Sequence, residues 1–378
     1  MSECCKSAIY YIGLENFRIV PSFSKDVRTG VHELYWPDYR EDGGVSMTWK
    51  VLVSRSIPEE GIAMLREAGF KVDVNEEDRV LSKEELLKRV KDKDALLSLL
   101  TDQVDGDLFS SNPDLKIVSN YAVGYDNIDI PAATRYRIVV THTPGVLTEA
   151  VAEHTLTLMM AAARRIVEAD TYIRAGKFKV WGPQLFLGQP IAGRTLGIVG
   201  LGRIGKAVAR KAVNGLAMKV IYSHTREDKE FEKEYHARRV DLNMLLSEAD
   251  VISLHVPFTD QTLHLIGKRE LQAMKSSAIL INTARGPIVD EAALVEALQE
   301  KRIFAAALDV FECEPEISCD SEAEVQLKDL DNVILTPHIS SATTATRAKM
   351  AEMAAQSIID LAQGKTPENI LNREALSP

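Results

Sequence analysis

The chain has 378 residues, 46% hydrophobic and 26% charged, which is enough apolar surface for two domains with cores of their own. Its formal net charge of -10 at pH 7 argues against a nucleic-acid partner, because polyanions are held by basic patches. No apolar stretch reaches the length of a membrane span, and residues 1–20 lack the basic start, apolar run and cleavage site of a secretory signal. The expected location is therefore the cytoplasm. The four cysteines, Cys4, Cys5, Cys313 and Cys319, have the spacing of neither a zinc site nor a disulfide framework, so reduced thiols and no bound metal are expected.

Residues 1–46 mix Pro, Gly and aromatic residues without sustained periodicity. A clean strand pattern begins only after Met47, at Lys50–Ser54. Two readings stand: Met47 is the biological start, or the preceding residues form an arm that packs on a partner subunit. From Lys50 to about Val140 short apolar runs alternate with amphipathic segments. Strands are predicted at Val51–Val53, Lys71–Val74, Ala95–Leu99, Lys116–Ser119 and Ile138–Val140. Helices are predicted at Pro58–Ala68 and at Lys83–Val90, where Ser82 and Glu85 have capping-box spacing. Such alternation means a parallel sheet covered on both faces. One long helical stretch is predicted from Thr148 to about Ala175. A second alternating series follows a loop marked by Trp181, Gly182, Pro183 and Gly188. Its strands are Thr195–Val199, Lys219–Tyr222, Asp250–Leu254, Ala278–Ile281, Ala305–Leu308 and Asn332–Leu335, a six-strand doubly wound pattern. A last helix runs from Thr343 to about Gln363.

The second series opens with Gly200-Leu201-Gly202-Arg203-Ile204-Gly205, a complete G-x-G-x-x-G. Alone that pattern is weak evidence, but here it follows a predicted strand and opens a predicted helix, the context that gives it meaning. Gly200 allows the tight turn, Gly202 lets backbone approach a pyrophosphate, and Gly205 lets helix and strand pack closely. Arg203 and Ile204 share the free N–H groups of the helix start. An NAD site expects an acid at the end of the next strand. Here that strand ends in Ser223-His224-Thr225-Arg226, and hydroxyls with a guanidinium suit a 2′-phosphate better than a ribose diol. NADP(H) is favoured and NAD(H) stays possible; on the other reading Arg226 is a solvated charge and Glu227 is the acid.

Three polar residues lie downstream of this loop: Arg285, Glu314 and His338. Arg285 and His338 follow predicted strands, where open α/β sheets place their ligands. Glu314, flanked by Glu312 and Glu316, would by itself read as a solvated charge. Together with a nucleotide loop they make a hydride-transfer set: an arginine to hold a carboxylate, a histidine to move a proton, a glutamate to set its charge. That suits reduction of a 2-keto acid. His142, His154, His255 and His264 are read as structural, and Cys313 as no nucleophile.

From Lys50 to its end the chain resembles the D-isomer-specific 2-hydroxyacid dehydrogenases, and within them the glyoxylate/hydroxypyruvate reductases. The resemblance is carried by Asn120–Asp129, Thr143–Thr148, the glycine loop, His255-Val256-Pro257, Asn282–Gly286, Asp309-Val310-Phe311 with Glu314-Pro315, and Thr336-Pro337-His338. It implies that Arg285 grips the substrate carboxylate and polarises the keto oxygen. The N–H groups of Val123 and Gly124 complete the carboxylate site, and Leu100 and Thr101 lie near the substrate side chain. It further implies that His338 is the acid/base, with Glu314 favouring its imidazolium form. Asp309, Thr283 and Ala284 would face the nicotinamide, Thr148 a cofactor phosphate, and Val256 and Pro257 the adenine. The segment Glu316–Gln326 is longer and more acidic than the family's usual connection. Ser340 stands where glycine is frequent.

The expected fold is α/β: two doubly wound parallel-sheet domains, a Rossmann cofactor domain inserted in a discontinuous flavodoxin-like substrate domain. The expected boundaries are an extension over 1–47, a substrate domain over 48–147 and 337–370, and a cofactor domain over 148–336. The expected activity is NAD(P)H-dependent reduction of glyoxylate or hydroxypyruvate. The alternatives are a sugar-acid reductase, oxidation of phosphoglycerate, phosphite or formate, and a dinucleotide-binding corepressor scaffold. Residues near Leu100, Trp181 and Phe186 would separate the enzymes. A homodimer is expected from the resemblance alone.

Overall fold

The computed structural model describes residues 48–377 apart from 318, 321, 323 and 324. The two readings of residues 1–46, and Met47 itself, lie outside the described residues. Thr48–Pro378 forms one compact unit that contains two wholly parallel sheets.

The first sheet is built from β1 (Lys50–Val53), β2 (Lys71–Val74), β3 (Ala95–Ser98), β4 (Ile117–Asn120) and β5 (Val139–Thr141), in the order β2-β1-β3-β4-β5. Every residue of β3, β4 and β5 is buried. Burial on both faces explains why these strands read as continuous apolar runs without alternation. The capping box at Ser82 and Glu85 is present, with Ser82 Oγ accepting from Glu85 N at 3.2 Å. The C-terminal helix Thr344–Ala362 also packs on this sheet. Met350, Ala351, Ala354 and Ile358 share one core with Val51, Leu97 and Ile117, and Ser119 Oγ donates to Ala354 O at 2.9 Å.

The second sheet contains β6 (Thr195–Val199), β7 (Lys219–Ser223), β8 (Arg238–Arg239), β9 (Val251–Leu254), β10 (Ile279–Asn282), β11 (Ala305–Leu308) and β12 (Val333–Leu335). Their order is β12-β11-β10-β9-β6-β7-β8, which reverses between β6 and β9. That switch point is where doubly wound sheets bind ligands, beyond the carboxyl ends of the strands. The six strands read from the sequence become seven. The additional strand, β8, is an exposed Arg-Arg pair at the sheet edge, and no apolar pattern marks a two-residue charged edge strand.

The long helix expected from Thr148 to about Ala175 is two helices, Thr148–Ala163 and Ile166–Arg174. Arg165 between them is left-handed, with φ 52°. The cause is distant in sequence: Gln189 N donates to Ala163 O at 2.8 Å. The returning loop thus takes a carbonyl that a continuing helix would have used.

Candidate active site

At the switch point the glycine loop has the shape its sequence demands. Gly200 has φ 97°, and a Cβ there would stand 2.7 Å from the His255 carbonyl. A Cβ on Gly205 would stand 2.3 Å from Gly200 O, whereas one on Gly202 would meet nothing within 4 Å. Gly202 precedes the helix Arg203–Leu216, whose start has no side-chain cap. Open space, uncapped N–H groups and the positive end of a helix fit a pyrophosphate. Arg203 is exposed beside that opening, while Ile204 packs partly buried against the cores of both sheets. Thr148, partly buried, opens the helix that packs alongside.

At the end of β7, Ser223 is half-buried and Thr225 and Arg226 are exposed. The acids that follow are engaged elsewhere: Asp228 pairs with Lys206 and caps the next helix, and Glu227 lies 3.8 Å from Lys229. Sequence reading missed Arg239, which sits beside this strand end. Its Nε donates to His224 O at 2.9 Å and its Nη2 to Thr225 O at 3.3 Å. Only the pairing of β7 with β8 puts it there. Val256 and Pro257 follow β9, their turn closed by Thr262 Oγ1 donating to Pro257 O at 2.8 Å.

Arg285 follows β10. Asn282 shapes the turn by accepting from Ala284 N at 3.1 Å and donating to Arg285 O at 2.8 Å. Thr283 is buried and pairs with Thr155 at 3.1 Å. The Arg285 guanidinium crosses to the first sheet, where its Nε donates to Asp126 at 3.0 Å and 3.2 Å. It lies directly on Gly124: a Cβ at that glycine would fall 1.5 Å from Nη2. The carbonyls of Val123 and Gly124 accept from His142 Nδ1 and Asn120 Nδ2, each at 2.8 Å. Their own N–H groups have no partner among the described residues. Two free N–H groups beside a guanidinium are donors of the kind a carboxylate accepts from. Leu100 and Thr101 lie on the loop after β3, braced by Asp102 accepting from Leu99 N at 2.7 Å and by Asn127 donating to Leu99 O at 3.1 Å. Burial pushes the Asp102 carboxyl up, against the bonds from Ser54 and Leu99.

His338 follows β12 with φ 52°. Its loop is folded around Asp309, which is fully buried. The carboxylate accepts from Thr336 Oγ1 at 2.6 Å, Ile339 N at 2.9 Å and Ser340 N at 2.8 Å. Burial alone would raise its pKa, but these bonds and His154 outweigh it and hold the group below the ordinary value. The structure thus occupies Asp309 with positioning the His338 loop.

The Nδ1 of His338 meets Glu314 Oε2 at 3.0 Å, and Glu314 Oε1 accepts from Phe311 N at 2.9 Å. The Arg285 and Glu314 loops touch each other: a Cβ at Gly286 would stand 1.8 Å from Phe311 O. Behind Glu314 lies a carboxyl pair the sequence did not reveal. Glu312 N donates to Glu291 Oε1, while Glu312 Oε1 meets His264 Nε2 at 2.6 Å. Burial, reinforced by the charges of Glu312 and Glu314, raises Glu291 to about 7 despite the bond from Glu312 N. The expectation of reduced thiols is corrected for Cys313 and Cys319, whereas Cys4 and Cys5 lie outside the described residues. Cys313 and Cys319 form a disulfide, because the turn that closes with Glu316 N donating to Cys313 O brings their Cα atoms to 5.3 Å. No group of three or more His, Cys, Asp or Glu among the described residues is placed to hold a metal ion.

Two concavities of about 530 and 770 Å³ lie away from these residues. Phe186 packs edge-on to Tyr172 with the Arg165 guanidinium over its ring, and Trp181 is 75% exposed.

Residues 156–340 match the family described as D-isomer specific 2-hydroxyacid dehydrogenase, NAD binding domain. A glyoxylate reductase of Korarchaeum cryptofilum is 50% identical over 328 residues, covering 86% of this chain and 97% of its own. A glyoxylate reductase of Thermococcus litoralis is 48% identical over 332 residues, covering 87% and 98%. Among solved structures, the NADPH-dependent glyoxylate/hydroxypyruvate reductase of Sinorhizobium meliloti, in complex with NADP and malonate, aligns with a TM-score of 0.74. It is 30% identical and covers 86% of this chain and 97% of its own. The chain belongs to the D-isomer specific 2-hydroxyacid dehydrogenase family. It is an oxidoreductase that works with a nicotinamide dinucleotide.

Proposed function

We propose that the chain reduces glyoxylate or hydroxypyruvate to the D-2-hydroxy acid, with NADPH preferred over NADH. The observation that carries this reading is the meeting of Arg285 with Gly124 across the two sheets, beside the pairing of His338 with Glu314 at the strand ends of the second. The curated relatives named above are glyoxylate reductases. The glycine loop and the start of the helix Arg203–Leu216 would hold the dinucleotide, which would supply the hydride. Arg285 and the N–H groups of Val123 and Gly124 hold the substrate carboxylate, and the guanidinium draws electron density from the keto oxygen. His338, with Nδ1 engaged by Glu314, presents Nε2 to that oxygen and delivers the proton as the alkoxide develops. Glu314 fixes the orientation of the ring by accepting from Nδ1. Leu100 and Thr101 border the substrate side chain, on a loop that Asp102 holds in place.

The preference for NADPH rests on the lack of an acid within Ser223–Arg226 and on the exposed Arg226 at the end of β7. A homodimer is the assembly the family resemblance implies, and the exposed Ile166, Val167, Ile173, Phe178, Val180 and Trp181, close together in the sequence, are apolar side chains a partner could cover. No described helix is long and apolar enough to cross a membrane. The proposal of a cytoplasmic location loses the support of unpaired thiols at Cys313 and Cys319. Initial rates with glyoxylate, hydroxypyruvate, 2-ketogluconate and phosphite, each with both cofactors, test the function. The reading fails if neither of the first two is turned over faster than the rest.

A further inference from the structure

We propose that His142 is a positioning residue for the substrate carboxylate, holding from behind the peptide unit whose other end is the Gly124 N–H. This rests on the reading of Arg285 and the N–H groups of Val123 and Gly124 as the carboxylate site. A trans peptide is planar and points its N–H and C=O in opposite directions. Among the described residues only the Glu314–Pro315 bond is cis. The Val123 carbonyl and the Gly124 N–H are therefore opposite ends of one rigid unit, and so are the Ala122 carbonyl and the Val123 N–H. Both carbonyls are taken by consecutive residues just beyond β5. Thr143 N donates to Ala122 O and His142 Nδ1 to Val123 O, each at 2.8 Å. The two N–H groups thus face away from this wall, and neither has a partner among the described residues.

The two units are held differently. Thr143 acts through its backbone, which any residue but proline supplies. Val123 O has no other donor among the described residues, so the Gly124 unit depends on the His142 side chain. Asn120 holds the following unit, through Gly124 O, and does not replace it. The wall itself is fixed to the C-terminal segment. His142 N donates to Asn369 O at 3.3 Å, Asn369 Nδ2 donates back to His142 O, and Ser357 Oγ donates to Asn369 Oδ1 at 2.9 Å. A carbonyl can only accept, so Nδ1 carries the proton in this pairing. Burial holds the imidazole below its ordinary pKa against the bond to Val123, and the Arg203 charge adds to the effect. Near pH 7 the donor is thus a neutral ring protonated at Nδ1. A hydrogen bond accepted by a carbonyl polarises its amide, which makes the N–H at the other end a better donor to an anion. The ring also meets Tyr125 edge-on, with centroids 5.9 Å apart, so packing and donation have to be separated.

Phenylalanine keeps the ring and has no donor; asparagine loses the ring and carries an amide N–H at the same number of bonds from Cα as Nδ1. The full chain is compared with its His142→Phe, His142→Asn and Arg285→Ala variants, using the cofactor that gives the higher rate. Measured are kcat and KM for glyoxylate, the inhibition constant of oxalate (a carboxylate with no carbonyl to reduce), the Kd of the cofactor and the melting temperature. His142→Phe should raise KM and the oxalate constant together by about tenfold, the effect of a weakened hydrogen bond to a charged group. Its kcat should stay within about threefold of the parent's, because the carboxylate is held alike in ground and transition states. Cofactor affinity and melting temperature should stay near the parent's. His142→Asn should restore KM and the oxalate constant to within about threefold. If His142→Phe does not fold, His142→Leu, equally without a donor, takes its place. Parent-like KM and oxalate constants in the donor-free variant overturn the proposal, as does an asparagine variant no better than the donor-free one. A raised oxalate constant in Arg285→Ala beside an unchanged one in His142→Phe removes only the role of His142 and leaves the carboxylate site standing. An unchanged oxalate constant in Arg285→Ala refutes the site reading and the proposal with it.

Discussion

Glu291 should make the protein less stable as pH rises, and Glu291→Gln should remove that loss. The carboxyl is 7% exposed, one of its oxygens has no hydrogen-bond partner, and Glu312 and Glu314 add negative charge nearby. These raise it from 4.5 to about 7. Below about pH 4.5 the group is protonated in folded and unfolded chains alike, and its contribution is fully present. Above that the unfolded chain releases the proton while the folded chain keeps it until about pH 7. Stability therefore falls through this window, because here the unfolded state binds fewer protons. A rise from 4.5 to about 7 corresponds to about 3 kcal/mol, at about 1.4 kcal/mol per pH unit. About 2–3 kcal/mol of it falls between about pH 5 and about pH 8. Glutamine keeps the acceptor for Glu312 N and carries no charge, and its packing cost is the same at both pH values. The assay is guanidinium chloride unfolding of parent and variant at those two pH values. Relative to the parent, the variant should gain about 2–3 kcal/mol at the higher one. A stability difference that is the same at both, within about 0.5 kcal/mol, would refute the reasoning.

Four further outcomes are expected. His338→Ala should lower kcat by about 10²–10⁴ and change KM little, whereas Arg285→Ala should damage both, as steady-state rates will show. Gly124→Ala should mimic Arg285→Ala while leaving the melting temperature near the parent's, because the new Cβ takes the place of Nη2; normal turnover would mean that the guanidinium can sit elsewhere. Arg226→Ala should cost about 1.5–3 kcal/mol in kcat/KM with NADPH and much less with NADH; an equal effect on both cofactors would leave the arginine a solvated charge. A chain beginning at Met47 should fold and turn over like the full one, and a melting temperature lowered by several degrees would make residues 1–46 structural.

What the sequence determined by itself is the part of the protein written in local patterns. Buried parallel strands need continuous apolar runs, so β3, β4, β9 and β10 were legible, and with them the loops at their carboxyl ends. The turn at Gly200–Gly205 needs its glycines for geometry alone, which is why one strand, one loop and one helix announced a dinucleotide site. Arg285 could be picked out because it follows such a strand, and His338 because it follows the short apolar run of β12. The tertiary structure decided whatever depends on two distant segments meeting. It set Arg285 on Gly124 and gave it Asp126, 159 residues away, through the packing of one sheet's loops against the other's. It ended the helix at Ala163 by bringing Gln189 to its carbonyl. The Arg238–Arg239 edge strand exists only because β7 is there to pair with it, and two cysteines that spell no framework became a disulfide because a turn folded them together. The carboxyl of Glu291 reads as an ordinary helix-start charge until the Glu314 loop covers it. Charge and burial at such a position are properties of the neighbours, and the neighbours are chosen by the fold.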